Sequence, residues 1–430
     1  MSGWTACWQG LGLVVGALLA VFSWLWITRP RTNAPGPTPV PLLGNLPHFW
    51  RKLPIVVNEF RKMQRQYGDV FRFYIGPKLI LIATQPDDAK RLLVGCKMRE
   101  RDDYTTRALI PFSGYGLIVN KGELWKTHRK LIEPTFHAEK RFYQPWLQID
   151  WIISLTPDGE ALKRQLNLYN GMAKQGLAII RERRSKALPK KRKTFLDVMM
   201  DDHGNLLLPE SEVYDEVRTF GLAGTDTTAT ALSCIFALLG LYPEWQDAIQ
   251  KEVDEIFGTG EDYLRPVTES DLTQLKVTEA VIKESLRLFP AVPVAPVFAS
   301  EDIPLSDGRY VAPRGSVVFV FLNLLHRQPA IYPDPDKFDP GRFLEGGGTN
   351  ALPPYSYLPF GAGSRLCVGA RFAMLVMKTV LATVMRQFRI IPGSTREELE
   401  EIGVFITGKP VHGINIRCVP RTAPVTVDCT

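Results

Sequence analysis

Cys367 stands in the segment Phe360-Gly-Ala-Gly-Ser-Arg-Leu-Cys-Val-Gly369, directly ahead of a long apolar run. A cysteine at a helix N-terminus receives backbone N–H groups and the positive end of the helix dipole, and both favour the thiolate. A thiolate there can ligate iron. Gly361, Gly363 and Gly369 would let the backbone turn sharply and approach a flat macrocycle, Phe360 would shield the sulfur, and Arg365 would pair with a propionate. An isolated cysteine is usually no more than a small buried hydrophobe. The full F-x-x-G-x-R-x-C-x-G pattern argues against that reading here.

Three further groups have spacings that matter. Ala223-Gly-Thr-Asp-Thr-Thr228 falls inside a long helical pattern, where Gly costs about 1 kcal/mol against Ala and Thr is a poor choice, so the segment needs a reason beyond helix formation. Glu284 and Arg287 are one turn apart, as are Trp125 and Arg129, so each pair can share a helix face. Taken alone, each has a plain reading, a solvated ion pair in one case and a Trp packed on an arginine stem in the other.

The elements that must carry these residues are legible from periodicity. Apolar residues recur at helical spacing from about Glu212 to Leu241, Glu244 to Phe257, Asp271 to Leu288 and Cys367 to Phe388, with Pro243 and Pro290 at boundaries. Short β-rich runs cover Val70 to Tyr74, Leu79 to Ala83 and Val317 to Leu322. From Asp302 to Phe343 the chain is rich in Pro, Gly and Asp and reads as turns and short strands. The fold class expected is mostly α with small β-sheets (α+β).

Of the 430 residues, 45% are hydrophobic and 10% aromatic, enough for a large core and a bound cofactor. No linker, repeat or charge block divides the middle, so one catalytic unit over 42–430 is expected. The formal charge of +7 is spread along the chain rather than gathered into a nucleic-acid-binding stripe. Neither a disulfide framework nor a zinc site is indicated by the six widely spaced cysteines.

At the N-terminus, Trp8 to Ile27 is apolar and long enough as a helix to cross a bilayer core of about 30 Å. Trp8, Trp24 and Trp26 suit interfacial anchoring, and Arg29 and Arg31 place the body in the cytosol. A cleaved signal peptide would need a basic start and a shorter apolar stretch. Residues 1–28 therefore read as a retained single-pass anchor and 29–41, with its Pro-rich stretch from Pro35 to Pro41, as a stiff hinge.

The cysteine segment resembles the haem-binding signature of the cytochrome P-450 family. Glu284-Ser-Leu-Arg287 resembles its E-x-x-R motif, Phe338-Asp-Pro-Gly-Arg342-Phe343 its meander, Trp125-Lys-Thr-His-Arg129 its W-x-x-x-R, and Ala223 to Thr228 its oxygen-activating A-G-x-D-T-T. In detail the chain is most similar to microsomal fatty-acid ω-hydroxylase-type members. The resemblance implies haem b with Cys367 as the metal ligand and Trp125, Arg129, Phe360, Gly363, Arg365 and Gly369 around it. A buried network of Glu284, Arg287 and Arg342 would lie behind the haem. Gly224 would open a groove for dioxygen, the Thr227 hydroxyl would hold an ordered water, and Asp226 would feed protons for O–O cleavage.

A monooxygenase of this kind would act on a lipophilic substrate, fatty-acid-like, steroid-like or xenobiotic, at the endoplasmic reticulum membrane. The contact segments expected are Pro111 to Ile118, Pro290 to Phe298 and Val404 to Thr407, with Phe112, Val292, Val294, Phe298 and Phe405 as pocket residues. Electrons would come from NADPH through a separate flavoprotein reductase, with cytochrome b5 as a further candidate donor, because the chain has no nucleotide-binding fingerprint. Lys126, Arg129, Lys130, Lys140 and Arg141 are candidates for that docking.

Three departures from the family pattern carry consequences. Ala223 stands where ω-hydroxylase-type members often carry a Glu esterified to the haem, so the haem is expected to be non-covalent. Val297 aligns with a propionate-binding Arg. After Thr135-Phe-His137 the chain passes within about ten residues into Gln144-Pro-Trp-Leu, so several tens of residues of the helical core are absent. Their loss would uncover apolar core. An inactive haem- or reductase-binding protein is the alternative function, and a peroxide-rearranging isomerase would not need Asp226 and Thr227.

Overall fold

The computed structural model describes residues 26–49, 56–95, 115–121, 205–258, 260–344, 348–404 and 406–421, with scattered positions in 15–24, 124–127, 164–182 and 199–200. Five helices position the site: α1 (Val56–Tyr67), α2 (Glu210–Leu241), α3 (Pro243–Phe257), α4 (Lys276–Leu288) and α5 (Ala370–Gln387). Among the described residues ten strands accompany them: β1 (Val70–Ile75), β2 (Lys78–Ala83), β3 (Val294–Phe298), β4 (Ile303–Leu305), β5 (Tyr310–Ala312), β6 (Val317–Phe321), β7 (Phe388–Pro392), β8 (Ile402–Val404), β9 (Gly408–Pro410) and β10 (Ile416–Pro420). Helices with small sheets are the architecture expected from the sequence.

The main sheet has the order β1-β2-β6-β3. Its central pair is parallel, with Ile80 opposite Val317, and the other pairs are antiparallel. The crossover between β2 and β6 therefore encloses α2, α3 and α4. Strand β2 is covered on both faces, which explains why Leu79 to Ala83 is an unbroken apolar run rather than an alternating one. The pairs β4 with β5, β7 with β10, and β8 with β9 form separate two-stranded units.

Helix α2 is long and apolar enough to cross a bilayer. It is instead a core helix: Phe220, Ile235, Leu238 and Leu239 are buried, and it packs against α3, α4 and α5. Glu210 and Glu212 complement the dipole in its first turn, and the chain leaves the helix at Tyr242, immediately before Pro243. In α5, Met377, Leu381 and Met385 recur every four residues and face the same core.

The expected helix from Asp271 to Leu288 is in fact two. A short helix, Glu269–Gln274, ends at Leu275, whose ψ of 77° is non-helical, and α4 restarts at Lys276. Glu252 of α3 supplies the cap, its carboxylate accepting from the N–H groups of Val277 (2.6 Å) and Thr278 (2.9 Å). That cap comes from 25 residues away, so local sequence does not signal it.

The expected anchor from Trp8 to Ile27 lies mostly outside the described residues. Those described between Val15 and Ile27 are helical, and Val15, Val21, Trp24 and Ile27 are exposed. The following stretch is tied to the body: Thr32 Oγ1 donates to the Val311 carbonyl (2.6 Å), Asn33 Nδ2 to that of Arg309 (2.8 Å), and Arg72 N to that of Pro35 (2.8 Å). The segment after His137, expected to be shortened, falls outside the described residues, as do Phe112, Arg129, Phe405 and the basic candidates Lys126, Lys130, Lys140 and Arg141.

Candidate active site

The cysteine loop is built by two glycines. Gly361 and Gly363 have φ values of +76° and +68°, a region that side-chain-bearing residues rarely adopt. A Cβ on Gly363 would lie 2.0 Å from the Leu93 carbonyl oxygen, so that position also admits no methyl group. A 3₁₀ turn, Gly363–Arg365, follows, and the N–H of Cys367 closes the loop on the Phe360 carbonyl at 2.9 Å.

Two expectations for this loop are corrected. Helix α5 begins at Ala370 with Gly369 as its cap, because Leu366 is extended (ψ 139°), so Cys367 precedes the cap by two residues instead of opening the helix. The helix dipole acts on the sulfur from outside the first turn. Gly369 has an ordinary φ of −86°, so no sharp turn requires a glycine there.

Cys367, Phe360, Gly361, Arg365 and Gly369 line one cavity of about 270 Å³. Across it stand Thr219, Phe220, Ala223, Gly224, Thr227, Thr228 and Ala231 of α2. Val292, Val294, Ala295 and Pro296 complete one wall, and Leu117, Ile118 and Trp125 another. Segments separated by up to 289 residues, Leu117 to Ile406, thus converge on an apolar chamber with the thiol in its wall. Phe298 does not line it: it lies four residues along β3 from Val294, about 13 Å at strand pitch, and its ring faces Lys78 Nζ at 5.2 Å. Ile406, within the expected contact segment Val404 to Thr407, does line it, as do Phe372 and Phe220, which no motif singled out.

At the rim, the Arg365 guanidinium stacks on Trp125, 4.0 Å from the ring centroid, and donates to the Asn120 carbonyl at 3.0 Å. Val297 is fully buried in the core on the sheet, beside Leu81 and Val318, and offers no charge. On α2, Thr227 Oγ1 donates to the Ala223 carbonyl one turn back (2.6 Å), which leaves its oxygen as an acceptor. Asp226 accepts from Thr407 Oγ1 (2.6 Å) and from Lys409 Nζ (2.5 Å).

Behind the cavity, Glu284 and Arg287 form a fully buried bidentate pair with N···O distances of 2.7 and 2.8 Å. Arg342 approaches Glu284 at 3.5 Å, and Asp339 N donates to it at 2.8 Å. Arg287 also donates to the carbonyls of His326, Pro335 and Lys337. Every Arg287 nitrogen is thereby satisfied, the condition under which a buried pair avoids a large desolvation cost. The network fixes the segment Pro335 to Arg342 against α4.

His326 is fully buried, and its Nε2 accepts from the N–H of Leu358, just ahead of the cysteine loop (2.8 Å). Burial, and then the positive charge of Arg287, push its pKa down to about 3, so it is neutral. Sequence reasoning missed it, because an isolated histidine carries no motif.

The donor chemistry fits the haem that the resemblance implies. Among the described residues no three His, Cys, Asp or Glu stand together as a metal cluster. A single sulfur in an apolar wall suits one axial position of a metal whose other ligands come from a macrocycle. The stacked Arg365 and the apolar lining suit a flat ring with acidic substituents at the rim, whereas Gly363, expected to touch the cofactor, is not among the lining residues and packs on the Leu93 carbonyl instead.

Comparison with known proteins agrees. The family model described as Cytochrome P450 matches residues 34–156 and 138–412. The chain is 30% identical to Cytochrome P450 4d2 of Drosophila melanogaster, over 88% of this chain and 93% of that protein. It is 29% identical to Cytochrome P450 4V2 of Mus musculus (88% and 86% covered) and 28% identical to Cytochrome P450 4V2 of Homo sapiens (87% and 86%). A thiol-bearing loop facing the Gly/Thr-rich middle of a core helix, and sequence relatives that span nearly the whole chain, lead to one conclusion: the chain belongs to the cytochrome P450 family.

Proposed function

We propose that this P450 is a monooxygenase that inserts one oxygen atom into a long lipophilic substrate of fatty-acid type. The observation that carries the reading is the apolar chamber in which Cys367 faces Ala223, Gly224, Thr227 and Thr228 of α2. A bound haem supplies the redox chemistry of dioxygen there, with electrons from NADPH through a separate flavoprotein reductase or cytochrome b5.

The chain's own residues do the rest. Cys367 holds the iron, Phe360 and the Gly361–Gly363 turn shield its sulfur, and Trp125 and Arg365, with Arg129, hold the propionates. Ala223 offers no carboxylate for an ester, so the haem is held non-covalently. Thr227 Oγ1 and the Asp226 carboxylate pass protons toward the cavity. The apolar walls from Val292 to Pro296 and around Phe220 exclude water and align a hydrocarbon chain. Residues 1–28 anchor the protein in the endoplasmic reticulum membrane with 42–430 in the cytosol, and the hinge 29–41 sets the angle between them.

One observation favours a second reading, an inactive haem- or reductase-binding form. The alignments to Cytochrome P450 4d2 and to the two Cytochrome P450 4V2 proteins run over 466 to 473 positions, more than the 430 residues of this chain, so they place gaps within it. That supports a shortened helical core after His137. Two measurements separate the readings. The reduced carbon-monoxide complex should show a strongly red-shifted Soret band that Cys367→Ala abolishes, and reductase-dependent NADPH consumption should rise on adding a long-chain fatty acid. A band retained by Cys367→Ala sinks the ligand assignment; a band without turnover favours the inactive form.

A further inference from the structure

Asp226 lies in the middle of α2, and both of its carboxylate oxygens are held by the turn that follows β8 and the start of β9. Thr407 Oγ1 donates to Oδ2 at 2.6 Å, and Lys409 Nζ donates to Oδ1 at 2.5 Å. Thr407 is buried, and the Lys409 side chain is one third exposed at the solvent edge. Between a lysine at the surface and Thr227 in the cavity wall, Asp226 is therefore fixed in one orientation. The adjoining residue Ile406 lines the cavity. The same turn is fastened to the opposite wall, where Gly408 N donates to the Ala291 carbonyl at 2.9 Å and Pro293 packs against Gly408.

A ligand that fills the chamber meets Ile406, and Ile406 cannot shift without moving Thr407 beside it. Charge-assisted hydrogen bonds depend steeply on geometry, so a small displacement of the turn loosens the hold on Asp226. We propose that Thr407 and Lys409 are positioning residues for Asp226 and that an occupant of the cavity, acting through Ile406, releases this clasp, so that proton delivery follows substrate occupancy. The inference rests on the proton-carrying role of Asp226 proposed above. Held, the carboxylate is tied to Lys409; released, it can rotate toward Thr227.

The test uses the full haem-loaded protein with Lys409→Met, Thr407→Val and Asp226→Asn, and dodecanoate as the probe. In the parent, dodecanoate should speed amide hydrogen exchange across residues 402–410. Lys409→Met and Thr407→Val should speed it about tenfold without the probe, the effect of losing one charge-assisted hydrogen bond, and dodecanoate should add no more. With reductase, both variants should consume NADPH several-fold faster than the parent when dodecanoate is absent, because the carboxylate is already released, with the carbon-monoxide band unchanged. Exchange in the parent that ignores dodecanoate, or parent-like exchange and parent-like substrate-free NADPH consumption in both variants, overturns the inference. If Asp226→Asn lowers product per NADPH while neither clasp variant changes substrate-free NADPH consumption, the clasp is wrong and the proton role stands. If Asp226→Asn keeps the parent's coupling and solvent isotope effect, the proton role falls and the inference with it.

Discussion

The guanidinium of Arg365 lies 4.0 Å above the ring of Trp125, although 240 residues separate them. The stack holds the arginine at the rim of the cavity while its Nη2 is spent on the Asn120 carbonyl at 3.0 Å. A cation over an indole contributes about 0.5–2 kcal/mol, more when shielded from water. Trp125→Ala should therefore accelerate transfer of haem to a scavenging apoprotein severalfold, and Trp125→Phe should do so less. Equal rates in parent and Trp125→Ala would show that the stack does not support cofactor retention.

The glycines of the cysteine loop should separate by mechanism. At Gly361 an added methyl meets nothing within 4 Å, so Gly361→Ala carries only the cost of a positive φ, about 1–2 kcal/mol. At Gly363 the same methyl collides with the Leu93 carbonyl at 2.0 Å, and backbone cannot move aside as a side chain can. Gly363→Ala should lower the melting temperature more than Gly361→Ala does, and should lower haem content as well. The reverse order would mean that the loop relaxes freely.

Glu284 and Arg287 are completely buried, so removing one leaves the other without a counter-charge. Glu284→Ala should cost roughly 3–5 kcal/mol, measured by urea unfolding, or leave no soluble protein. Arg287→Lys should not rescue, because an ammonium group cannot match both Glu284 oxygens together with the carbonyls of His326, Pro335 and Lys337. A parent-like urea midpoint for Arg287→Lys would refute this account.

What could be read beforehand divides along sequence distance. The helices α2 to α5 and the strands β1, β2 and β6 are signalled by local periodicity, and the motif residues Cys367, Glu284 and Thr227 by their spacing together with the resemblance to the family's motifs. The restart of α4 at Lys276 is not, because its cap is Glu252 on another helix. The start of α5 at Ala370 rather than Cys367 reflects a 3₁₀ turn and an extended Leu366 that glycine-rich sequence does not specify. Phe298 was placed in the pocket by its neighbours in sequence, yet strand pitch carries it away. The bonds from Thr407 and Lys409 to Asp226 span 181 and 183 residues, and nothing local in either segment announces them.

His326 gives the last prediction, for acid stability. Its folded pKa of about 3 lies below the ordinary 6.5, because burial and then the Arg287 charge disfavour the imidazolium. As pH falls below 6.5 the unfolded chain takes up this proton and the folded chain does not, so stability declines by about 1.4 kcal/mol per pH unit until about pH 3. Glu400 acts in a lower window. Burial raises its pKa, but Arg327, Arg61 and Arg396 overcome that and bring it from 4.5 to about 2, so its contribution is lost only as pH falls below 4.5. His326→Gln retains a carbonyl that can accept from Leu358 N–H and cannot take a proton. Urea midpoints from pH 4.5 to 6.5 should therefore fall less steeply for this variant than for the parent; below 4.5 the Glu400 loss is common to both, and the His326 difference persists to about pH 3. Identical slopes in the upper window would mean that His326 is charged in the folded protein, which would contradict its acceptor role toward the residue that leads into the cysteine loop.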